Sequence, residues 1–315
     1  MAVRVRVPLA ALIRVNISLN VHFFLYPYEN NMTYDEIWHR LAAIYEPGEA
    51  KAMARMLLEE KFGMSLPDIL CGGAEALSAD DTLWTEEALV RLERSEPIQY
   101  VLGEAWFCGH QFAVRPGVLI PRPETEWLAE RAVAEARKAI QTHNAARPHI
   151  LDIGTGSGCI AISIKKALPE ACVEAWDISE DALAIAEENA RRLEADITLC
   201  RQDALSAQAG DAPQWDIIVS NPPYICDSER ESMNPNVADY EPHTALFVPD
   251  DTPLLFYRAI TRYARKALRS GGSLLFECNT RYAECTADMM RSEGFGSAEV
   301  VADCFGKPRF ATARL

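Results

Sequence analysis

The second half of the chain alternates strand-like apolar runs with helical runs, and this alternation constrains the fold more than any other feature. The helical runs are predicted at Ile160–Leu168, Asp181–Leu193 and Leu254–Leu268; the strand-like runs are HILDIG, CVEAWD, DITLC, WDIIVSNPPY and GGSLLFEC, followed by a C-terminal strand pair. Such alternation predicts an α/β fold with a parallel sheet covered by helices on both faces. Ligands of these sheets bind beyond the carboxyl ends of the strands. We therefore expect the functional residues where the predicted strands end.

The preceding part of the chain predicts a smaller unit. Apolar residues recur there at the three-to-four spacing of amphipathic helices, at Ile37, Leu41, Ile44 and then Ala52, Met53, Met56 and Leu57. A partly alternating aromatic segment, EAWFCGHQFAV, then predicts a β-hairpin. We divide the chain into a helical domain at residues 32–100, a linker with the hairpin at 101–125 and an α/β domain at 126–315.

The first 31 residues contain basic residues and an apolar stretch, but Arg14 interrupts that stretch and no small-residue cleavage site follows. A signal peptide is therefore not predicted. Met32 stands directly before Thr33, which has Glu36 three residues later, the pattern of a helix capping box. We predict that Met32 is the true start and that residues 1–31 are an unstructured gene-model extension.

The chain is acidic, with 46 acidic against 31 basic side chains and a formal net charge of −15. This balance predicts no direct binding of nucleic acid, because a phosphate backbone needs a basic surface. An acidic surface fits either a solvated face or a basic protein partner. Nine cysteines lie singly, without metal-ligand spacing, and no apolar run reaches the roughly 18 to 20 residues that span a bilayer. We predict a cytoplasmic protein without a metal site.

A glycine-rich turn closes the first predicted strand of the α/β domain. Gly154, Gly156 and Gly158 alternate with Thr155 and Ser157, and a helix is predicted to follow at once. Glycines let a ligand approach the backbone closely, and the free N–H groups of a helix start favour an electron-rich group. A dinucleotide fingerprint has the spacing G-x-G-x-x-G. The spacing G-x-G-x-G favours S-adenosylmethionine, although a simple strand-to-helix connection remains an alternative.

Two acidic residues follow the next two predicted strands. Asp177 ends the strand CVEAWD about 20 residues after the glycine turn, where a carboxylate accepts hydrogen bonds from both hydroxyls of a ribose. Asp203 follows the third strand and is placed to meet the exocyclic amine of an adenine. A cap on a turn or helix is the alternative role of Asp203. Both residues are candidates for cofactor binding.

The tetrapeptide Asn221-Pro222-Pro223-Tyr224 closes the fourth predicted strand. Asn221 offers a side-chain carbonyl oxygen, and the two prolines lack N–H groups, so the backbone there accepts hydrogen bonds only. The Asn221 side chain and the Pro222 carbonyl can accept both N–H bonds of one planar NH2 group. Two fixed acceptors stabilise the positive charge that develops as an amide nitrogen attacks a sulfonium methyl, and the Tyr224 ring can cover that centre. The motif predicts methylation of a planar NH2 group.

These motifs closely resemble those of the release factor glutamine N5-methyltransferases, from about Thr33 to the C-terminus. The most specific stretches are EPIQYVLGEAWFCGHQFAV, LIPRPETEWL and, after N-P-P-Y, YEPHTAL. The resemblance implies a Rossmann-like seven-stranded methyltransferase domain with a small N-terminal helical domain joined by a β-hairpin linker. It implies S-adenosylmethionine as cofactor. The implied acceptor is the N5 amide nitrogen of the glutamine in the Gly-Gly-Gln motif of class I peptide chain release factors, with an effect on translation termination.

The resemblance also implies roles for single residues. Gly154 to Gly158, Asp177 and Asn221 would contact the cofactor, and Asn221 to Tyr224 would hold the glutamine, with Asn221, Pro222 and Tyr224 as the catalytic group. The helical domain would help to dock the release factor, and we expect a monomer.

Other positions are assigned less directly by the resemblance. Arg122 and Glu124 lie in the matching signature LIPRPETEWL, where a structural role and a substrate contact are equally open. Some family members carry an aromatic residue where this chain has Ala204. Stacking on the adenine from that position is therefore not implied.

Two other functions fit parts of the sequence. An adenine-N6 nucleic-acid methyltransferase also acts on a planar NH2 group, but it normally needs a basic groove or a target-recognition domain, and the sequence shows neither. A non-catalytic S-adenosylmethionine-binding module would tolerate loss of the N-P-P-Y motif, which is intact here. We therefore expect an S-adenosylmethionine-dependent protein-(glutamine-N5) methyltransferase.

Overall fold

The computed structural model describes residues 32–143 and 147–315. The prediction of a gene-model extension at residues 1–31 lies outside the described residues. None of the helices in these two described ranges has both the length and the apolar character needed to cross a membrane.

The N-terminal unit is helical. Its α-helices are α1 (Tyr34–Leu41), α2 (Pro47–Phe62), α3 (Leu66–Leu70), α4 (Ala79–Leu92) and α5 (Ile98–Leu102). The predicted capping box is confirmed, because the Thr33 side chain accepts from the Glu36 N–H while the Glu36 carboxylate accepts from the Thr33 N–H. Buried Ile37, Leu41 and Leu57 belong to one apolar core between these helices.

The predicted apolar faces of α1 and α2 are wrong in part. Ile44 is 46% exposed, because α1 ends at Leu41 and the chain turns before the next helix. Ala52 and Met56 face solvent, because the buried side of α2 lies further round the helix. That buried side consists of Ala50, Met53, Ala54, Leu57 and Leu58.

A β-hairpin follows the helices, as predicted. Strands β1 (Glu104–Phe107) and β2 (His110–Ala113) pair antiparallel. The turn at Cys108 and Gly109 has positive φ at both residues, 47° and 74°, the backbone sign of a tight two-residue hairpin loop. Phe107 and Phe112 are fully buried and join the core beneath the main sheet. The hairpin therefore packs on the α/β part of the chain.

The remaining strands build the main sheet. They are β3 (His149–Ile153), β4 (Cys172–Asp177), β5 (Thr198–Arg201), β6 (Trp215–Ser220), β9 (Leu268–Glu277), β10 (Ser297–Ala302) and β11 (Pro308–Arg314), while β7 (Ile225–Cys226) and β8 (Phe247–Val248) pair separately. The seven-stranded order is β10-β11-β9-β6-β3-β4-β5. Strands β9, β6, β3, β4 and β5 run parallel to one another. Strand β11 runs antiparallel to β9, and β10 runs antiparallel to β11. The predicted Rossmann-like fold class is confirmed.

Helices cover both faces of this sheet. They are α6 (Glu126–His143), α7 (Cys159–Ala167), α8 (Glu180–Arg192), α11 (Leu255–Ala267) and α12 (Ala283–Ser292), with the short α9 (Pro235–Ala238) and α10 (His243–Leu246) in the loop after β7. Neighbouring residues of β3 enter different cores, because side chains alternate along a strand. Ile150 packs with residues of α6 and α7, and Leu151 packs with residues of α11 and α12. Because β9, β6, β3, β4 and β5 run parallel, their carboxyl ends meet at one edge of the sheet.

Candidate active site

The glycine turn lies at that edge, between β3 and α7. Gly154, Gly156 and Gly158 all have positive φ, at 77°, 55° and 82°, a backbone region that glycine adopts without steric cost. A Cβ at Gly154 or Gly156 would meet no other atom within 4 Å. A Cβ at Gly158 would lie 2.9 Å from Ile162 Cδ1 and 3.2 Å from Ala186 Cβ. The first two glycines thus leave open space for a ligand, and the third lets α7 and α8 pack closely.

Asp152 lies beneath the turn and is fully buried. The hydroxyl of Thr155 donates to Asp152 Oδ2 at 2.6 Å. Burial raises the pKa of Asp152 to about 7, and the hydrogen bond from Thr155 opposes this effect. The Thr155 side chain therefore points into the protein, as does buried Ser157. Asp152 has no predicted role, although an aspartate at the end of the apolar strand HILDIG is a signal that the sequence contains.

Asp177 ends β4 beside the glycine turn. Its Oδ2 accepts from the Gly156 N–H at 2.9 Å, and its Oδ1 accepts from the Ser179 N–H at 2.9 Å. A carboxylate has about four acceptor positions, so each oxygen of Asp177 keeps capacity for another donor. The structure brings Asp177 to the turn as the sequence indicated. Its contact with a ribose stays a prediction.

Asp203 follows β5 at the same edge of the sheet. Its Oδ1 accepts from the Leu205 N–H at 2.9 Å, which is the turn cap that we considered as its alternative role. The preceding residue, Gln202, donates its N–H to the Asp177 carbonyl oxygen at 2.9 Å. Asp203 is thereby held near Asp177, and its contact with an adenine stays a prediction.

The N-P-P-Y segment follows β6, the neighbour of β3. Ile153 and Ser220 are partners in the β3–β6 register, and the Ser220 hydroxyl donates to the Ile153 carbonyl oxygen at 2.6 Å. This bond joins the last residue before the glycine turn to the last residue before Asn221. Pro222 is buried, and Pro223 is half-buried. The two motifs, separate in sequence, are thus side by side.

Two hydrogen-bond acceptors of the N-P-P-Y segment have no partner in the described part of the chain. They are Oδ1 of Asn221 and the carbonyl oxygen of Pro222. The other end of the amide is engaged, since Asn221 Nδ2 donates to Thr125 Oγ1 at 3.4 Å. The sequence predicts that these two acceptors together bind one NH2 group, and we call the pair the clamp. Such a clamp requires that both acceptors be free.

Thr125 and Glu277 hold the N-P-P-Y segment through hydrogen bonds to Asn221 and Tyr224, and neither residue has a role predicted from the sequence. The Thr125 hydroxyl donates to Glu277 Oε2 at 2.6 Å, and the Tyr224 hydroxyl donates to Glu277 Oε1 at 3.1 Å. Glu277 ends β9 and is 1% exposed. Burial raises its pKa, opposed by the hydrogen bond from Thr125 and the charge of Arg309. A glutamate closing the apolar strand GGSLLFEC was the available signal.

Comparison with known proteins places this geometry in a family. Residues 35–103 match the family described as "PrmC N-terminal domain", and residues 134–237 match the "Methyltransferase small domain". A release factor glutamine methyltransferase of Bacteroides thetaiotaomicron is 47% identical over 273 residues, covering 87% of this chain and 95% of the relative. One from Flavobacterium psychrophilum is 42% identical, covering 85% and 93%. The chain belongs to the release factor glutamine methyltransferase family.

Two stretches that resemble signatures of the family, LIPRPETEWL and YEPHTAL, contact each other beside the N-P-P-Y segment. Arg122 of LIPRPETEWL forms an ion pair with Glu241 of YEPHTAL at 2.5 Å, and Glu241 also accepts from the Ile120 N–H at 3.3 Å. Burial raises the pKa of Glu241, and the Arg122 charge opposes it. Glu124 Oε1 lies 4.0 Å from a guanidinium nitrogen of Arg309, and the charges of both residues act on Glu277. Arg122 and Glu124 of this signature thus have charged partners within the protein.

A small cavity of about 80 Å³ adjoins the same residues. Arg122, Asn221 and Tyr224 line it together with the apolar side chains Leu119, Ile225, Val237, Ala245 and Leu246. The loop that carries Glu241 also reaches the helical unit, because the Tyr240 hydroxyl donates to the Arg94 carbonyl oxygen at 2.6 Å. The N-P-P-Y segment and the loop that carries Glu241 form what we call the acceptor side of this methyltransferase. The helical unit is in direct contact with it.

Proposed function

We propose that this chain methylates the side-chain N5 atom of the glutamine in the Gly-Gly-Gln motif of class I peptide chain release factors and thereby modulates translation termination. Relatives at 42 and 47% identity carry the name of this activity over nearly their whole length. The observation that carries the proposal is the pair of free acceptors, Asn221 Oδ1 and the Pro222 carbonyl, next to the glycine turn. A primary amide has the two N–H bonds that such a pair can accept.

S-adenosylmethionine is the methyl donor of this family. When bound, it supplies an electrophilic methyl group on a sulfonium centre. We assign Gly154, Thr155, Gly156, Ser157, Gly158, Asp177, Asp203 and Asn221 to its binding. The open space above Gly154 and Gly156 supports this assignment. Because the Thr155 and Ser157 side chains are buried, we assign their backbone atoms to the contact.

Apolar surface beside the two acids also supports a nucleoside site. Ile178 follows Asp177 and is 55% exposed, and Leu205 lies two residues after Asp203 and is 45% exposed. Exposed apolar side chains next to convergent polar groups are typical of a ligand site. Ala204 offers no ring for stacking, so aliphatic surfaces take that place in the proposed adenine contact.

The acceptor residues act on the glutamine amide. Asn221 Oδ1 and the Pro222 carbonyl each accept one N–H bond, and Pro223 keeps the backbone rigid behind them. As the nitrogen becomes positively charged, these two dipoles stabilise it without having to reorient. The Tyr224 hydroxyl is fixed on Glu277, so the ring is held in place to cover the amide. Asn221, Pro222 and Tyr224 are the proposed catalytic group.

The partner is proposed to be the release factor itself, docked with help from the helical domain at residues 32–100. The contact of Tyr240 with Arg94 supports this, since it links that domain to the acceptor side. The net charge of −15 favours a partner with a basic face over a nucleic acid. We propose that the enzyme acts as a monomer.

The test is transfer of labelled methyl from S-adenosylmethionine. The substrates are a purified class I release factor, the same factor with the Gly-Gly-Gln glutamine replaced, and duplex DNA. We expect label on the intact factor alone, and none from the Asn221→Ala enzyme. Label on DNA would favour adenine-N6 methylation, and equal label on the altered factor would overturn the proposed acceptor residue.

A further inference from the structure

The amide of Asn221 works as an acceptor only in one of its two orientations. Its oxygen and nitrogen ends have nearly the same shape, but the oxygen accepts hydrogen bonds and the nitrogen donates them. With the amide reversed, the NH2 group of Asn221 would face the N–H bond that Oδ1 should accept, and this half of the clamp would repel the glutamine amide. The enzyme therefore needs a contact that distinguishes the two ends.

Thr125 provides such a contact. Asn221 Nδ2 donates to Thr125 Oγ1 at 3.4 Å. A threonine hydroxyl has a single hydrogen, and Thr125 directs that hydrogen to Glu277 Oε2 at 2.6 Å. The oxygen of Thr125 can then offer only lone pairs to Asn221. These lone pairs attract the nitrogen end of the amide and repel the oxygen end.

Glu277 holds the direction of the Thr125 hydroxyl. Both carboxylate oxygens accept hydrogen bonds, one from Thr125 and one from the Tyr224 hydroxyl, which is the pattern of an ionised carboxylate. Burial raises the pKa of Glu277 and so opposes that state, whereas the hydrogen bond from Thr125 and the positive charge of Arg309 favour it. Thr125 is 3% exposed and Glu277 is 1% exposed, so water does not compete for these bonds.

We propose that Thr125 is a positioning residue whose hydroxyl, held by Glu277, orients the Asn221 amide so that Oδ1 faces the glutamine. This inference rests on the proposed function. Thr125 touches neither substrate in this proposal and acts only through Asn221. Its removal should therefore lower kcat more than it changes the binding of either substrate.

The test compares Thr125→Val, which keeps the shape and removes the hydroxyl, with Thr125→Ser, which keeps the hydroxyl and removes a methyl group. Thr261→Val is the matched control, because Thr261 is fully buried in α11 and its hydroxyl has no hydrogen-bond partner among the described residues. We expect Thr125→Val to lower kcat about 10- to 100-fold. The kcat values of the serine variant and the control should stay within about threefold of the parent value. The loss of a buried hydrogen bond would cause a larger decrease.

Affinity for S-adenosylmethionine and thermal unfolding are measured on the same variants, so that misfolding is not read as a loss of positioning. A role in packing alone would reverse the order, with the serine variant impaired by its cavity and the valine variant active. Activity of Thr125→Val at the parent level would also overturn the proposal.

A second readout needs no methyl acceptor. The proton–nitrogen NMR signals of the Asn221 side-chain amide are assigned as the pair that disappears in Asn221→Asp. We expect Thr125→Val to shift this pair, and Thr125→Ser and Thr261→Val to leave it in place. An unshifted pair in Thr125→Val would sink the inference. If the parent enzyme methylated no release factor, the proposed function would fail, and the NMR comparison would still decide the role of Thr125.

Discussion

The cofactor side and the acceptor side of the site are held together in different ways. On the cofactor side, backbone N–H groups of the glycine turn bond to the end of the neighbouring strand. The N–H groups of Gly154 and Thr155 donate to the Trp176 carbonyl, and the Gly156 N–H donates to the Asp177 carboxylate, 21 residues away. On the acceptor side, side chains bond over long sequence distances. Thr125 and Glu277 are 152 residues apart, and Arg122 and Glu241 are 119 apart.

Because of this difference, we expect substitutions on the two sides to affect cofactor binding and the methyl transfer separately. A turn built from backbone groups in adjacent strands needs little more than its own segment and the strand beside it. A clamp oriented by distant side chains is complete only when the whole sheet has formed. Changes on the acceptor side should therefore alter the reaction or the whole fold, and changes on the cofactor side should alter the turn and its ligand.

The largest effect is expected at the clamp itself. Asn221→Ala removes one of two fixed acceptors and should lower kcat by about 1,000-fold, as for the loss of a preorganised transition-state dipole. Calorimetric titration should find the affinity for S-adenosylmethionine within about tenfold of the parent, equivalent to less than about 1.4 kcal/mol. Near-complete loss of cofactor binding with unchanged turnover of bound enzyme would contradict the separation of the two sides.

The next effect concerns the Arg122–Glu241 pair. Arg122→Met leaves the buried Glu241 without its positive partner and should lower the free energy of unfolding by about 2 to 3 kcal/mol. The matched control is Arg201→Met on the cofactor side, because Arg201 and Glu180 form an ion pair with side chains 63% and 73% exposed. An exposed pair contributes about 0 to 1 kcal/mol. Urea unfolding that shows equal losses would contradict the contrast.

A smaller effect is expected from pH through Asp152. Burial raises its folded-state pKa to about 7 from an ordinary value of 3.8, so the folded state holds the proton more tightly than the unfolded state. Stability from this group is present at low pH and is lost as pH rises through 7, by about 2 kcal/mol between pH 5 and 7. Asp152→Asn should remove that part of the slope in denaturant unfolding without ligand. Parallel pH curves for the two proteins would refute the assignment.

The smallest effect separates two glycines of one turn. Gly158→Ala places a Cβ 2.9 Å from Ile162, whereas Gly154→Ala meets nothing within 4 Å. Both variants bear the strain of positive φ, so the steric contact should make Gly158→Ala less stable by a further 1 to 2 kcal/mol or so. Thermal unfolding of the two variants measures this difference. Equal melting temperatures would mean that α7 and α8 separate without cost.

The sequence predicted the fold class, the hairpin and the two motifs because each depends on local signals. Alternating apolar runs identify strands between helices, and the glycines and prolines restrict the backbone wherever they stand. The prediction of the apolar faces of α1 and α2 was wrong in part, because Ile44 and Met56 are exposed. Helix ends and the rotation of a helix on its neighbour depend on packing, which periodicity alone does not report.

By itself, the sequence determined the parallel sheet, the turn at Gly154 and the presence of two acceptors at Asn221 and Pro222. Only the tertiary structure decided that the Asn221 amide has its nitrogen on Thr125, that Thr125 is held by Glu277, and that Arg122 meets Glu241. The physical reason is that a hydrogen bond between side chains depends on distance in space. Residues more than a hundred positions apart become neighbours only when the parallel strands and their covering helices have packed.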